Sequence, residues 1–162
     1  MLLPQPSLAA HPSLQKLVDA TEENGTLIPP PGTYSGPVII DSPMTIDGQG
    51  RVTIDNGGKG TVILLDTDGA TIKDLHLTNS GESANDLDSG VQVRGNYNVI
   101  KDNVIDDCLF GVDLQQSNNN IVRRNSISSK LHLGLGQKGD SVRLWYSFNN
   151  KILENSTINV RD

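Results

Sequence analysis

Aromatic residues are scarce in this sequence, at 4% of 162 residues, and there is one cysteine. The scarcity of rings argues against a core built on large aromatic side chains and favours a narrow interior of Val, Ile and Leu. The single Cys108 excludes an internal disulfide, and its position inside an apolar run predicts a buried structural thiol. No stretch approaches the roughly 20 apolar residues of a membrane span, so membrane insertion is not expected.

Positive charge is also in short supply, because 13 basic residues face 19 acidic ones and the net charge is −6. Without a broad basic surface, nucleic-acid binding is disfavoured, and an anionic polysaccharide is a less natural ligand. The first residues lack the basic head and the long apolar middle of an intact signal peptide. We therefore interpret residues 1–12 as a leader or as the remnant of a signal peptide.

The second half of the sequence contains a repeat, a short aliphatic unit with an asparagine at each end. Its copies are residues 98–103, 120–125 and 150–155. Each copy follows an alternating aliphatic run and precedes one further aliphatic residue. These further residues are Ile105, Ile127 and Ile158. Self-similarity at roughly 20–30 residues is typical of a solenoid, in which each repeat buries its apolar side by stacking on a neighbour.

The composition of the repeats indicates which solenoid this is. The runs alternate with period two and are rich in Val and Ile, which excludes helical repeats, and the leucine-rich repeat signature is missing. Asparagine suits the corners between strands, because it tolerates left-handed backbone angles and its amide can bond to the copy in the next coil. We predict an all-β fold, a right-handed parallel β-helix of the pectate-lyase-like kind, over residues 26–162.

A short amphipathic segment precedes the predicted coils. Residues 14, 17 and 18 are apolar at helical spacing, with Ser13 as the expected N-cap and Gly25 as the expected stop. A helix over residues 13–25 would cap the first coil. The chain ends just after a complete copy of the repeat, from which we expect it to be the N-terminal part of a longer solenoid. An uncapped last coil predicts end-to-end self-association.

Aligning the coils predicts stacked columns of side chains. The predicted inward columns are Val62, Val91, Val112 and Val142, then Leu64, Val93, Leu114 and Leu144. The predicted outward columns are Ile63, Gln92, Asp113 and Arg143, then Leu65, Arg94, Gln115 and Trp145. Neighbouring strands lie about 4.8 Å apart, so Asp113 and Arg143 should form an exposed ion pair, worth about 0–1 kcal/mol.

Several segments together resemble the NosD family. They are residues 14–15, 30–38, 47–50, 79–83, 109–114 and 139–145, of which the last, Gly-Asp-Ser-Val-Arg-Leu-Trp, is the most specific. NosD proteins are periplasmic β-helical maturation proteins for the copper sites of nitrous oxide reductase. The resemblance implies a periplasmic location, ATP-binding-cassette (ABC) transporter subunits and nitrous oxide reductase as partners, and a role in handing over copper or sulfur.

Candidate metal ligands and acidic pairs are few. Copper(I) prefers thiolate, thioether and imidazole ligands, which makes His132 and His76 the metal candidates for transient copper. His76 should point outward without a partner, and no cofactor is firmly implied.

Asp106 and Asp107 should lie on opposite faces or at a turn, whereas residues 86 and 88 could face the same way. We expect both acidic pairs to be solvated turn residues and assign no catalytic residue.

The predicted binding surface is centred on an outward tryptophan. It comprises Trp145, Arg94, Gln115, Arg143 and Asp113, and a flat aromatic ring with polar flanks suits a sugar or a protein partner. The alternative is that the loop of residues 130–140 folds over Trp145.

The leading hypothesis for function is a non-enzymatic maturation scaffold. The competing one is a carbohydrate-binding or carbohydrate-active β-helix (lyase, hydrolase or epimerase), and a third is a purely structural β-helix module.

Overall fold

The computed structural model describes residues 10–162, so most of the predicted leader lies outside the described residues. One short helix precedes fifteen strands. The helix α1 is Gln15–Asp19 and the strands are β1 Thr26–Leu27, β2 Gly32–Ser35, β3 Val38–Ile40, β4 Thr45–Asp55, β5 Ile63–Leu65, β6 Thr71–Thr78, β7 Ser89–Val93, β8 Val99–Lys101, β9 Val104–Asp106, β10 Phe110–Gln115, β11 Ile121–Arg123, β12 Ser126–Ser128, β13 Val142–Trp145, β14 Lys151–Leu153 and β15 Ser156–Ile158. A 3₁₀ turn, Leu135–Gln137, interrupts the loop before β13.

The strands wind into coils with three faces, and every strand pair is parallel. Face 1 consists of β1, the first part of β4, the first part of β6, β8, β11 and β14. Face 2 consists of β2, the second parts of β4 and β6, β9, β12 and β15. Face 3 consists of β3, β5, β7, β10 and β13. The chain visits faces 1, 2 and 3 in turn, which confirms the predicted parallel β-helix.

Aliphatic side chains of successive coils stack in the interior, but the predicted register is wrong by one residue in the earliest coil. Ile63 and Leu65 pair with Val91 and Val93, so they take the inward positions expected for residues 62 and 64. Leu64 faces outward opposite Gln92. Residues 61–65 are almost all apolar, so the alternation that fixes register elsewhere gives no signal there. The later columns, Val91–Val112–Val142 and Val93–Leu114–Leu144, pair as predicted.

Asparagine ladders join the coils at both corners of the repeat. The backbone N–H of Asn98 donates to the side-chain oxygen of Asn120 at 2.8 Å, and that of Asn120 donates to Asn150 at 2.9 Å. A second ladder joins residues 103, 125 and 155 in the same way. The left-handed backbone angles belong to the residue before each asparagine, such as Tyr97 at φ 57°. The side chains of the ladder asparagines therefore cap the preceding coil, and the turn is made by the residue before each of them.

The helix caps the first coil but is shorter than predicted. It begins after Leu14, and Ser13 does not cap it, because Ser13 forms a parallel bridge with Ser35. Leu14 and Val18 are buried against the first coil. The Gln15 amide accepts a hydrogen bond from the N–H of Ile39 at 2.7 Å and donates one to its carbonyl at 2.9 Å. A side chain thus replaces the strand that would otherwise cover the edge of β3.

The last coil departs from the repeat in one position. Ile158 pairs with Ser128, and Thr157 takes the place opposite Ile127, so Ile158 faces outward and is not the third inward copy. The reason is one additional residue between the asparagine and the isoleucine of this copy. Several apolar side chains of this coil are exposed. They include Leu144, Ile152, Leu153 and Ile158.

Candidate functional site

The few aromatic side chains are distributed unevenly. Two of the six, Tyr34 and Phe110, are buried, and the other four are 51–67% exposed. Those four are Tyr97, Trp145, Tyr146 and Phe148. All four lie where the chain passes from face 3 to face 1, at the end of β13 or in the turns before β8 and β14. We call this set the aromatic ridge.

The ridge has a defined geometry around Trp145. The rings of Trp145 and Tyr146 meet edge to face, with centroids 5.0 Å apart and planes at 87°. The guanidinium carbon of Arg143 lies 5.1 Å from the Trp145 centroid, a cation–π arrangement. Gln115 is the register partner of Trp145 on the preceding coil. These contacts hold the tryptophan in place while leaving 51% of it exposed.

Asp113 is buried beneath this surface and is not exposed on it. Its side chain is fully buried, and it accepts hydrogen bonds from Arg143 at 2.8 Å and from Gln115 at 2.6 Å. The predicted pairing with Arg143 is present, but the expectation of an exposed, weak pair is wrong. A buried carboxylate depends on its donors far more than a solvated one does.

The remaining predicted residue, Arg94, is exposed and donates to Gln92 at 3.0 Å. The structure thus brings the five predicted surface residues onto face 3 and its edge. The loop of residues 130–140 does not cover Trp145. It packs instead at the start of face 3, where Gly139 approaches the ring of Phe110 and the carbonyl of Leu109 so closely that a Cβ would meet them at 2.6 Å.

A small cavity adjoins the ridge at the start of face 1. It has a volume of about 250 Å³ and is lined by Tyr97, Asn119, Asn120, Ile121, Asn149 and Lys151. We call it the notch. The side chains of Asn119 and Asn149 form no hydrogen bond within residues 10–162, and the ammonium of Lys151 makes no ion pair within those residues. The notch therefore offers a cation, two amides and an aromatic ring to a ligand.

Sequence reasoning found only one of the four ridge residues. Tyr97, Tyr146 and Phe148 occupy turns, where strand periodicity gives no signal. The sequence did contain a clue. Tyr97 directly precedes Asn98, the first asparagine of the first repeat, and Tyr146 and Phe148 come shortly before Asn150, the first asparagine of the third repeat. Aromatic residues in turns of an otherwise aromatic-poor chain indicate an exposed contact surface.

A second concave surface lies outside face 2. This outer groove has a volume of about 620 Å³ and is lined by His76, Thr78, Asp106, Asp107, Ser128, Ser129, Leu131, His132, Ile158 and Asn159. Both histidines that were predicted as metal candidates line it. Asp106 and Asp107 also face it together, because Asp107 has a left-handed backbone angle (φ 46°) that ends the strand alternation. The alternative of opposite faces is therefore wrong, whereas the expectation of solvated residues at a turn is confirmed, since the side chains of Asp106 and Asp107 are 41% and 47% exposed.

The charged side chains of the outer groove are already paired. His76 faces outward as predicted but has two partners: Nδ1 lies 3.2 Å from the Thr53 hydroxyl and Nε2 lies 2.8 Å from Asp106. Asp107 accepts a 3.4 Å hydrogen bond from the ammonium of Lys130, whose side chain is almost fully buried. With both ring nitrogens of His76 engaged, that residue would have to lose a bond before it could bind a metal.

His132 links two loops. Its Nε2 lies 2.6 Å from the carboxylate of Glu82, which joins the loop of residues 130–140 to the acidic loop of residues 81–89. In the acidic loop, Asp86 and Asp88 both bond Ser83, at 2.7 and 2.9 Å. Within residues 10–162, no three His, Cys, Asp or Glu side chains are arranged to hold a metal. The assignment of His132 and His76 as metal ligands stays a prediction.

Cys108 matches its prediction as a structural thiol. It is fully buried in the core, and burial raises the pKa of its thiol to about 12. A thiol in this state has almost no thiolate, which is the form that binds metals and reacts with oxidants. Its burial and its protonated thiol both argue for a structural role of Cys108.

Comparison with known proteins agrees with the geometry. The family model described as the right handed beta helix region matches residues 46–161, and the chain belongs to that family. The chain is also 27% identical, over 116 residues, to the probable ABC transporter binding protein NosD of Pseudomonas aeruginosa. That match covers 70% of this chain and 27% of the relative, so the chain spans about a quarter of the relative's length. No solved structure matches the chain. Among the described residues, no helix is long and apolar enough to cross a bilayer.

Proposed function

We propose that this NosD-like β-helix protein is a non-enzymatic periplasmic scaffold that docks partner proteins during the maturation of nitrous oxide reductase. The partners would be the reductase and the subunits of an ABC transporter. The observation that carries the proposal is the aromatic ridge, which exposes four of the six aromatic side chains in one place. The name of the Pseudomonas aeruginosa relative, an ABC transporter binding protein, is consistent with a docking role.

The energetics of the ridge favour a protein partner. Exposed Trp and Tyr side chains are enriched among the residues that dominate binding at protein interfaces, since each buries a large area with few rotatable bonds. Trp145 is also held by Arg143 and Tyr146 before binding. A side chain that is already ordered loses little further entropy when a partner covers it. The ridge is thus built for contact on a rigid support.

Copper would be a cargo of this assembly and not a resident group. His132 lies on an exposed loop, and its carboxylate partner Glu82 is also exposed. An imidazole in this position can bind a soft metal ion transiently while another protein supplies the remaining ligands. We include a transient copper contact at His132 in the proposal on this basis.

Self-association through the last coil is a second part of the proposal. The strands β13, β14 and β15 pair on one side within the described residues. Leu144 and Ile152 are 46% and 37% exposed, although their register partners on the preceding coil, Leu114 and Val122, are fully buried. A second copy stacked on this coil would cover these side chains and pair the strand edges. Light scattering during size-exclusion chromatography should then give a mass that rises with protein concentration. An Ile152→Lys variant should stay monomeric, and a wild type that is monomeric at all concentrations would contradict this part.

The docking proposal is tested by direct binding to purified partners. Copper-free nitrous oxide reductase and the detergent-solubilised transporter of the source organism would be immobilised and titrated with this protein. Trp145→Ala should weaken binding by at least about tenfold, as expected for a central aromatic contact. The control is Leu131→Ala, which removes an exposed apolar side chain (76%, against 51% for Trp145) that lines the outer groove, away from the ridge. Equal affinities of the two variants, or no binding by the wild type, would contradict the proposal.

The outer groove supports the alternative, a carbohydrate-active β-helix. Glycoside hydrolysis uses two carboxyl groups across a cleft, and Asp106 and Asp107 both line this one. Incubation with a panel of polysaccharides, followed by detection of new reducing ends, tests it. Product that disappears in Asp106→Asn would favour the enzyme. Product formation that is unaffected by that substitution would remove the groove as the active site.

A further inference from the structure

Basic side chains accompany the aromatic ridge although the chain as a whole is acidic. The net charge is −6, with 13 basic against 19 acidic residues. Yet Arg143 stacks on Trp145, and Lys151 lines the notch beside Tyr97. Arg94 is exposed directly after Val93, whose register partner Leu114 precedes Gln115. The ridge therefore has basic side chains beside its rings, on a molecule that is acidic as a whole.

Of the three basic side chains, only Arg143 has a salt-bridge partner in the described residues, the buried Asp113. Asp68, on an earlier coil, accepts a 2.6 Å hydrogen bond from the N–H of Asn96 and keeps its negative charge. Arg94 and Lys151 form no ion pair within residues 10–162. Two cations are therefore available to a ligand beside the four exposed rings.

The notch gives one of these cations a shaped environment. Lys151 shares it with the amides of Asn119 and Asn149, which are also without partners in the described residues, and with the ring of Tyr97. An ammonium together with amide N–H donors matches the oxygens of a carboxylate. Tyr97 and Ile121 would contact the aliphatic part of the same side chain. A volume of about 250 Å³ is enough for a single acidic side chain.

We propose that the aromatic ridge binds an acidic segment of a partner protein, with apolar side chains on Trp145 and Phe148 and a carboxylate in the notch. This inference rests on the proposed docking function and specifies the chemistry of what docks. The negative charge of the rest of the molecule contributes as well, because it disfavours acidic segments elsewhere on the surface. Charge complementarity of this kind selects the partner and orients it.

Binding of synthetic peptides tests the charge preference directly. Three fluorescein-labelled peptides would share one leucine-rich template and carry Glu, Gln or Lys at the remaining positions. Fluorescence anisotropy with the full chain should give the tightest Kd for the Glu peptide, about five- to tenfold below that of the Gln peptide, and the weakest for the Lys peptide. Raising the salt concentration should reduce the difference, because exposed charges are screened.

Variants separate the charge preference from the apolar contact. Lys151→Gln and Arg94→Gln should weaken the Glu peptide more than the Gln peptide and so bring the two towards equal affinity. Trp145→Ala should weaken all three peptides. Lys59→Gln, an exposed lysine on a distant loop, is the matched control and should change nothing.

Three results would overturn the inference. They are no binding of the Glu peptide, equal binding of the Lys peptide, and an effect of Lys59→Gln as large as that of Lys151→Gln. None of them bears on whether the ridge docks the reductase or the transporter, which is measured with those purified proteins. Conversely, the peptides could show the charge preference while neither the reductase nor the transporter binds. That result would support an acidic binding partner and contradict the reductase and the transporter as that partner.

Discussion

Arg143 donates a 2.8 Å hydrogen bond to the fully buried carboxylate of Asp113 on the preceding coil. The same guanidinium lies against the exposed Trp145 ring. One side chain thus links the interior of the coil stack to its contact surface. Its loss should affect both stability and the orientation of the tryptophan.

Replacing Arg143 by Gln should destabilise the fold. The buried Asp113 carboxylate would keep its bond from Gln115 but lose its cation, which should cost about 2–3 kcal/mol in the free energy of unfolding. Urea denaturation followed by circular dichroism measures this. The control is Arg123→Gln, whose pair with Glu154 is exposed and should be worth about 0–1 kcal/mol. Similar values for the two variants would show that the Asp113 pair behaves as a surface pair.

Removing one asparagine of the ladder should be more costly than its size suggests. Asn120→Ala would leave the buried N–H of Asn98 without its acceptor and remove the bonds that the Asn120 amide makes to Asn150 and to the Gly95 carbonyl. We expect a loss of about 2–4 kcal/mol, from one unsatisfied buried group and the lost amide bonds. The exposed Asn85→Ala is the control and should change the free energy of unfolding by less than about 0.5 kcal/mol. A neutral Asn120→Ala would contradict the ladder as a structural element.

Asp102 should make the stability of the fold depend on pH. The hydrogen bond from Arg124 holds the pKa of the Asp102 carboxyl below its usual range, with a smaller Coulombic contribution from the same guanidinium. Because the folded pKa is lowered, the stabilisation is present above the unfolded pKa and is lost as pH falls through the folded one. The melting temperature of Asp102→Asn should therefore fall less than that of the wild type on acidification. If the melting temperatures of the wild type and of Asp102→Asn fell equally with pH, this contribution of Asp102 would be contradicted.

Much of the architecture could be predicted because the repeats have the same internal spacing. Equivalent residues of successive repeats therefore stack in one column. The asparagine ladders, the later valine columns and the Asp113–Arg143 pair all follow from that rule. The rule failed at Ile63–Leu65, where uniformly apolar residues give either register the same pattern. It also failed at Ile158, where a single additional residue moved an aliphatic side chain from the inside to the outside.

The candidate sites were harder to predict because loops and turns build them. Glu82 and His132 are 50 residues apart, and nothing in either segment indicates that they meet. Likewise, Tyr97 joins the ridge only because the coils stack, which places the turns before β8, β11 and β14 in one row. The burial of Asp113 depends on Gln92, Gln115 and Arg143 together, and such a cluster is not visible in pairwise alternation.

The most direct test of the docking account places a photo-activatable amino acid at position 146 of the ridge or, as the comparison, at position 131. Both positions are strongly exposed and carry large apolar side chains. After illumination with the purified reductase or transporter, the account predicts a covalent adduct from position 146 and none from position 131. An adduct from position 131 alone, or none from position 146 with either partner, would contradict it.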